Sequence, residues 1–489
     1  MSIELKETFP VLNKTTAFTP CKGYAILMDL SSGAHLPLDP YYAFLISLCN
    51  GRFSIDQIFD LSHSLDNGRK ISKDSLKVFL EDASKNYLHF KNSPLRAPIN
   101  LPDPVIFAKQ AYLPSRNPWD TGIPYDWPAE LDLYLTEQCN MNCYYCFVGS
   151  KPKSVKDRLT HEEFIRVLEE ASALGVLRCT ITGGEPTLHK GFVELIARSV
   201  SFGMHTALAT NGTNLSSGIL SKLKDAGLGS IQISLDTFNP DIFKQMTKSA
   251  FFYPLIVNSI KEGVRSGIPL SIKAVLTQKN IEGAGEFIDR CVDLGVKDIR
   301  LRNFEPGLKG RGESDCFITE NEVENLKALI ELKRRLFGEG VKISLILTGE
   351  KWESGRFRCC RHALSGLGIL SNGDVTVCDR FGHDKKMIIG NVRKKSLSKI
   401  WNSEKHLSIL RPEKARVSKI CASCANFNRC RSGCFLYSFF SQGSIYAPDP
   451  RCKRVAATIR NKKPAHAERI NLGGNYLFCA DNCAKDSSN

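Results

Sequence analysis

Between residues 131 and 347 apolar, strand-like segments alternate with helical patterns, and this alternation constrains the fold more than any other feature of the chain. The segments are LDLYLT from Leu131, LRCTIT from Leu177, HTALAT from His205, SIQISL from Ser230, LSIKAVL from Leu270, KDIRLR from Lys297 and VKISLIL from Val341. Apolar residues at helical spacing fill the gaps, and a glycine stands where most of the helices should end: Gly175, Gly203, Gly227, Gly267, Gly295 and Gly340. Two helix starts carry a reciprocal cap, Thr160 with Glu163 and Thr319 with Glu322. Parallel strands need long crossovers, which helices supply, so the pattern predicts an α/β fold with a parallel sheet. Six or seven such units predict a partial or full barrel, whose chemistry sits at the C-terminal strand ends.

The flanking regions read differently. Residues 1–98 hold two amphipathic patterns, LPLDPYYAFLISLCNGRFSIDQIFDL and ISKDSLKVFLEDASKNYL, and predict a small helix-rich module with one or two strands. Residues 99–129 are proline-rich (Pro102, Pro104, Pro114, Pro118, Pro124), which predicts an irregular surface linker. The barrel should occupy 130–350. Residues 351–463 are cysteine-rich and glycine-broken and are expected to be helix-poor, and the polar tail 464–489 is expected to be flexible.

Directly after the first strand comes CNMNCYYC, with thiols at Cys139, Cys143 and Cys146. The N-terminal MSIELKETFP lacks the apolar core of a signal peptide, and no apolar run reaches membrane-spanning length. The expected compartment is the cytoplasm, where thiols stay reduced, so 18 cysteines point to metal or redox chemistry rather than disulfides. Thiolates are soft ligands for zinc, iron-sulfur or copper. A C-x3-C-x2-C loop offers three, leaving one metal position unfilled by protein; a zinc knuckle with a distant fourth ligand is the alternative. Downstream stand Cys360, Cys378, Cys421, Cys424, Cys430, Cys434 and Cys452, for which a pair of zinc sites is the alternative to iron-sulfur. Cys21, Cys49, Cys179 and Cys291 lie in apolar surroundings and read as core residues, and Cys479 and Cys483 as loose thiols of the tail.

The formal charge is +15, and residues 351–463 carry it, with 24 Lys and Arg against 7 Asp and Glu. Such a surplus raises the question of nucleic acid. The same segment holds eight cysteines, however, and thiolates on iron-sulfur clusters offset part of the surplus. The remainder suits an acidic electron donor or an acidic peptide.

The cysteine loop resembles that of the radical S-adenosylmethionine (radical SAM) superfamily. In that family a four-iron four-sulfur (4Fe-4S) cluster keeps one iron open for the cofactor's amino and carboxylate groups and cleaves its sulfonium to a 5'-deoxyadenosyl radical. The resemblance implies a partial (β/α)6 barrel with Cys139, Cys143 and Cys146 as cluster ligands and Tyr145 near the adenine. It further implies that Gly183, Gly184, Glu185 and Pro186 bind the amino group, with Asn211, Ser234 and Asp236 near the ribose and carboxylate. The second cysteine field is similar to the SPASM domain with its two auxiliary 4Fe-4S clusters. There Cys421, Cys424 and Cys430 would join Cys452, while Cys360, Cys378 and Cys434 would serve the other cluster. Its fourth ligand is then Cys359, Cys316 or an open site. Asp379 matches the aspartate that removes a substrate proton in the sulfatase-maturing branch, although it also reads as a solvated acid in a turn.

Residues 1–98 resemble the PqqD-like modules, winged-helix-like in form, that bind a leader peptide as an added strand. Their nearly balanced charge argues against DNA. These resemblances imply a peptide maturase that abstracts hydrogen from a residue of a ribosomally made precursor and leaves a crosslink or an oxidised residue. A flavodoxin- or ferredoxin-like donor would supply electrons, and no membrane is involved. A sulfatase-type maturase making formylglycine from Cys or Ser is the second reading, and an iron-sulfur DNA-binding redox regulator the third.

Overall fold

The computed structural model describes residues 8–452 apart from 22, 65–70, 98, 111–124, 149–157, 306–315, 348–360, 383, 411–413, 426 and 451. Cys359, Cys360, Cys479 and Cys483 lie outside the described residues. The chain divides into two compact units, Met1–Asp126 and Trp127–Asn489. Among the described residues no helix is long and apolar enough to cross a membrane.

In the first unit, β1 (Phe9–Leu12) pairs antiparallel with β5 (Leu88–Lys91). A second antiparallel sheet is ordered β2 (Thr16–Cys21), β3 (Tyr24–Asp29), β4 (Ala34–Leu38). Five strands thus stand where one or two were expected. The central strand YAILMD is buried throughout, and an unbroken apolar run lacks the alternation that marks a strand. Helices Pro40–Ser47, Ile55–His63 and Lys73–Ser84 start at Asp39, Ser54 and Ser72, whose side chains accept from the first-turn backbone. Such caps are each worth about 1 kcal/mol. Leu27, Leu45, Ile46, Ile58, Leu76 and Leu80 are fully buried in their common core.

Part of the expected linker is also core. Pro104–Gln110 is a helix, because proline in the first turn sacrifices no hydrogen bond and Asp103 Oδ1 accepts from Val105 N at 2.9 Å. Phe107 is fully buried, with its ring 5.3 Å from that of Phe18.

The second unit is built on β6 (Glu130–Tyr134), β7 (Arg178–Thr182), β8 (His205–Thr210), β9 (Ser230–Ser234), β10 (Leu270–Leu276), β11 (Asp298–Asn303) and β12 (Lys342–Ile346). These seven, all among the expected segments, run parallel in sequence order. Gly175, Gly203, Gly227, Gly267 and Gly295 follow their helices at φ between +73° and +88°, the left-handed region that glycine enters without strain. The last helix, Glu320–Phe337, ends at Gly338 (φ +59°) rather than at Gly340. Both expected capping boxes form.

Because side chains alternate across a strand, register sorts the sheet into two faces. Leu133, Ile181, Leu208, Ile233, Ile272 and Leu301 lie on the face the helices cover, all fully buried. The opposite face is polar, with Asp132, Thr180, Gln232, Ser234, Lys273 and Arg300 in neighbouring register.

The sheet continues beyond β6. β13 (Gly366–Ile369) pairs with it in parallel, and β14 (Asp374–Thr376) and β15 (Ile388–Asn391) add antiparallel, giving ten strands with β12 and β15 at open edges. The cysteine-rich segment therefore shares the barrel's hydrogen-bond ladder. It is also richer in helix than expected, with short pieces at Arg361–Ser365, Leu397–Trp401, Glu404–Leu410, Lys419–Ala422, Phe427–Cys430 and Phe435–Gln442. Helices this short show no sustained period in sequence. Glu163 joins the two parts: it closes its capping box and accepts from Arg393 Nε and Nη2 at 2.7 and 2.8 Å, and the Arg393 bond holds its carboxyl down at about 2.

Replacing Phe107 by Ala should destabilise the first unit by about 3–5 kcal/mol through loss of buried ring and the cavity left behind. Denaturant unfolding of the full chain monitored in that unit reads this directly, and a change below about 1 kcal/mol would return the segment to the status of a linker.

Candidate active site

The loops after β6, β7, β8 and β9 gather the expected cofactor residues at one end of the sheet. Their arrangement begins with two glycines. Gly183 has φ +148°, and a Cβ there would lie 2.3 Å from Thr136 O; one on Gly184 would lie 2.3 Å from Gln138 O. Without side chains, Gly184 N donates to Thr136 O and Glu185 N to Gln138 O, both at 2.7 Å. The turn after β7 is thereby clamped to the three residues that lead into Cys139.

Glu185 is fully buried beneath this turn. Its Oε1 accepts from Thr187 N (3.1 Å), Thr187 Oγ1 (2.6 Å) and Thr210 Oγ1 (2.6 Å), and its Oε2 from Asn211 N (2.7 Å). Burial pushes its carboxyl up, and these donors oppose the shift. Four donors already engage the carboxylate expected to take the cofactor's ammonium, so its evident work is to tie the end of β7 to the end of β8. The nearby backbone carbonyls are the acceptors left for an ammonium.

Asn211 carries the tie onward. Its Nδ2 donates to Asn140 Oδ1 at 2.8 Å and lies 3.7 Å from Cys139 Sγ, while Asn140 Nδ2 donates to Thr213 Oγ1 at 2.8 Å. The other side of the cysteine loop hangs on helix Pro240–Thr247, with Tyr144 N donating to Met246 O at 3.0 Å. Cys139, Cys143 and Cys146 are free thiols, each partly accessible. Burial pushes Cys139 up to about 11 and Cys143 well above the usual thiol range, and repulsion among the thiols adds to both shifts. A cationic iron-sulfur core reverses both penalties at once, so this donor set fits a 4Fe-4S cluster held by three cysteines. Among the described residues no three His, Cys, Asp or Glu side chains close on a single metal ion.

Tyr145 points its hydroxyl at Asp236, donating to Oδ2. Asp236 also accepts from Val275 N at 2.8 Å, and burial pushes its carboxyl up to about 6. Asn280 Nδ2 donates to Asp236 O at 2.9 Å and so links β10 to the same turn. Tyr145 and Asp236 are therefore partners of each other, whereas Ser234 is exposed at its strand end. Pro186 begins the short 3-10 turn Pro186–Leu188.

The second thiol field is separate. The charges of Asp449, Cys452, Cys421 and Cys424 all act on Cys430, after burial the causes that push its thiol far above the usual range. These four cysteines are thus neighbours. The turn between Cys430 and Cys434 places Arg431, Ser432 and Gly433 all at positive φ (+52°, +72°, +91°), and Asp449 Oδ2 accepts from Cys434 N at 2.9 Å. Cys378 caps the turn Asp379–Phe381. Cys316, one candidate for a fourth ligand, is fully buried. Cys21, Cys49, Cys179 and Cys291 are buried with thiols raised by burial, as core residues are.

Asp379 is not a solvated acid of a turn. Tyr134 Oη, at the end of β6, donates to its Oδ2 at 2.8 Å, and Arg380 Nε lies 3.9 Å from its Oδ1. The sequence reading missed the groups around it: Tyr134, Lys273, Arg302, Glu305 and Arg380. Isolated charges inside strand patterns look like interruptions, and only register shows that they share the polar face.

Strand-end loops carrying three thiols on an open parallel α/β sheet, with a second thiol field in the segment that extends that sheet, define a radical SAM architecture with an iron-sulfur extension. Residues 133–291 match the radical SAM superfamily and residues 359–425 the SPASM iron-sulfur cluster-binding domain. The chain is 25% identical over 345 residues to the PqqA peptide cyclase of Rhizobium meliloti, covering 70% of this chain and 91% of that one. It is 26% identical over 341 residues to the mycofactocin maturase MftC of Mycolicibacterium smegmatis, covering 67% and 83%. The fold matches Streptococcus suis SuiB, solved with S-adenosylmethionine and with its precursor peptide SuiA, at a TM-score of 0.61 and 18% identity over 90% of this chain and 98% of that one. The chain therefore carries a radical SAM domain and a SPASM iron-sulfur domain, which together call for 4Fe-4S clusters and S-adenosylmethionine.

Gly184→Ala should lower the iron and sulfide bound per chain after anaerobic reconstitution, because the added methyl displaces Gln138 and with it Cys139. Gly203→Ala, with nothing within 4 Å of the new methyl, should cost only about 1 kcal/mol of backbone strain and leave iron content unchanged. Equal iron content in both variants would refute the clamp.

Proposed function

We propose that this enzyme modifies a ribosomally made precursor peptide, removing a hydrogen atom from one residue so that a crosslink or an oxidised residue results. The observation that carries the reading is a three-thiol loop at the strand ends together with a second thiol field that follows the strands extending the same sheet, in a chain whose relatives across most of their length are named as peptide cyclase and maturase. Bound at the loop, the cluster and S-adenosylmethionine supply a hydrogen-abstracting radical by one-electron cleavage of the sulfonium.

The chain's own residues set the stage for that chemistry. Cys139, Cys143 and Cys146 hold the cluster, and the clamp of Gly183 and Gly184 on residues 136–138 fixes their direction. Carbonyls of the Gly183–Pro186 turn accept from the cofactor's ammonium, and Asn211, Ser234 and the Tyr145–Asp236 pair border its ribose and adenine. Cys421, Cys424, Cys430 and Cys452 hold one auxiliary cluster, and Cys360, Cys378 and Cys434 ligate a second. Clusters held there would supply an acceptor for the electron left on the substrate. Asp379, shared between Tyr134 and Arg380, would take the substrate's proton.

The first unit serves as the PqqD-like module. Its three-stranded sheet leaves one side of both β2 and β4 without a strand partner among the described residues, and a leader peptide adds there by backbone hydrogen bonds. The basic surplus of residues 351–463 suits an acidic flavodoxin- or ferredoxin-like donor, and the reaction belongs in the cytoplasm.

Coexpression with a candidate precursor peptide should give a mass change in that peptide, located by tandem mass spectrometry. Cys143→Ala should abolish it. Persistence of the change in that variant would remove the three-thiol loop from the mechanism.

A further inference from the structure

On the polar face of the sheet, Lys273 of β10 stands in register between Ser234 of β9 and Arg300 of β11. Arg302, two residues further along β11, leaves the sheet on the same side. Two carboxylates belong to this group, and both are engaged. Glu305 Oε2 accepts from Arg302 Nη2 and from Arg380 Nη2, the latter at 2.7 Å. Asp379 accepts from Tyr134 and faces Arg380. The Arg380 guanidinium also lies 4.2 Å above the ring of Phe147, next to Cys146.

The Lys273 side chain makes no hydrogen bond or ion pair among the described residues, although its backbone oxygen accepts from Leu235 N. Three basic side chains therefore meet two carboxylates and, at Arg380, the Cys378 thiol, in a largely buried group in which Arg302, Arg380 and Glu305 are only 12–20% exposed. An uncompensated charge in such a place is costly. Burial and the two guanidinium groups accordingly push the Lys273 amine down to about 7. An incoming anion would relieve that cost, and exposed Ser234 beside Lys273 leaves the approach open.

We propose that Lys273, backed by Arg302 and Arg380, receives a carboxylate of the peptide substrate, an Asp or Glu side chain close to the residue that is modified. The assignment rests on the peptide-modifying reading above. The cofactor's carboxylate is the other possible source. The basic group is built from β10, β11 and the turn after Cys378, while Ser234, the register partner of Lys273, borders the cofactor site, so peptide-free cleavage of S-adenosylmethionine separates the two sources. Lys273 is thus a specificity-determining residue that selects acidic sequence at the site of reaction.

The test uses reconstituted full-length enzyme, its Lys273→Met and Lys273→Arg variants, and a candidate precursor peptide. The peptide is assayed unaltered and with each Asp or Glu changed singly to Asn or Gln. Lys273→Met should raise KM for the unaltered peptide tenfold or more, and Lys273→Arg should restore most of the loss. One amide version of the peptide should show the same rise with unaltered enzyme and no further rise with Lys273→Met. Normal handling of every amide version, or strictly additive losses, would overturn the proposal. A fall in peptide-free cleavage of S-adenosylmethionine by Lys273→Met would assign the carboxylate to the cofactor and also overturn it. Lys273→Met should melt no lower than the unaltered enzyme, because it deletes an unpaired charge; a clearly lower melting temperature would make Lys273 structural. If the unaltered enzyme leaves the peptide unmodified, it is the peptide reading itself that fails.

Discussion

The close approach of Gly183 and Gly184 to the backbone of residues 136–138 is the constraint on which the site depends. Two 2.7 Å backbone hydrogen bonds join the exits of β6 and β7, and no side chain larger than hydrogen fits between them. Everything downstream inherits that spacing. Glu185 can reach Thr210 and Asn211 only because the turn is held down, and Asn211 in turn reaches Asn140 and Cys139. A buried carboxylate with four donors is a rigid junction, since losing any donor would leave a desolvated charge under-satisfied. The cysteine loop, which lacks regular structure of its own, is thus positioned by backbone geometry and one acid.

Much of this was legible in the chain. The parallel strands were visible because each is short, apolar and followed by a helix that stops at glycine, and the thiol loop because its spacing admits few chemistries. The strand-end motifs could be found because they sit at successive strand ends. Their internal partnerships could not: Glu185 is spent on Thr187, Thr210 and Asn211, and Tyr145 on Asp236, contacts that need three-dimensional placement. Two misreadings have simple causes. YAILMD offers no alternation to betray a strand, and Pro104 looks like a breaker although it opens a helix.

The polar face of the sheet was the least legible part. In an ordinary α/β barrel the interior is filled by branched apolar side chains. Here Glu130, Asp132, Arg178, Gln232, Lys273, Arg300 and Arg302 take that side, while the opposite face keeps the apolar core. Folding energy therefore comes from one face of each strand, and the other is left for ligands, charge and water. Ion pairs such as Arg300 with Asp298, 2.6 Å apart, and Arg302 with Glu305 limit the cost of that arrangement.

The pairing of β13 with β6 bears on how such a chain can be divided. The strand that ends at the cysteine loop has neighbours on both sides, β7 on one and β13 on the other. A truncation before residue 366 would strip one flank from β6 and expose a row of unpaired amides and carbonyls beside the catalytic loop, an invitation to intermolecular strand pairing. The seam between the two Fe–S regions is therefore a poor place to cut or to graft, and chimeras between enzymes of this type should exchange β6 and β13 together.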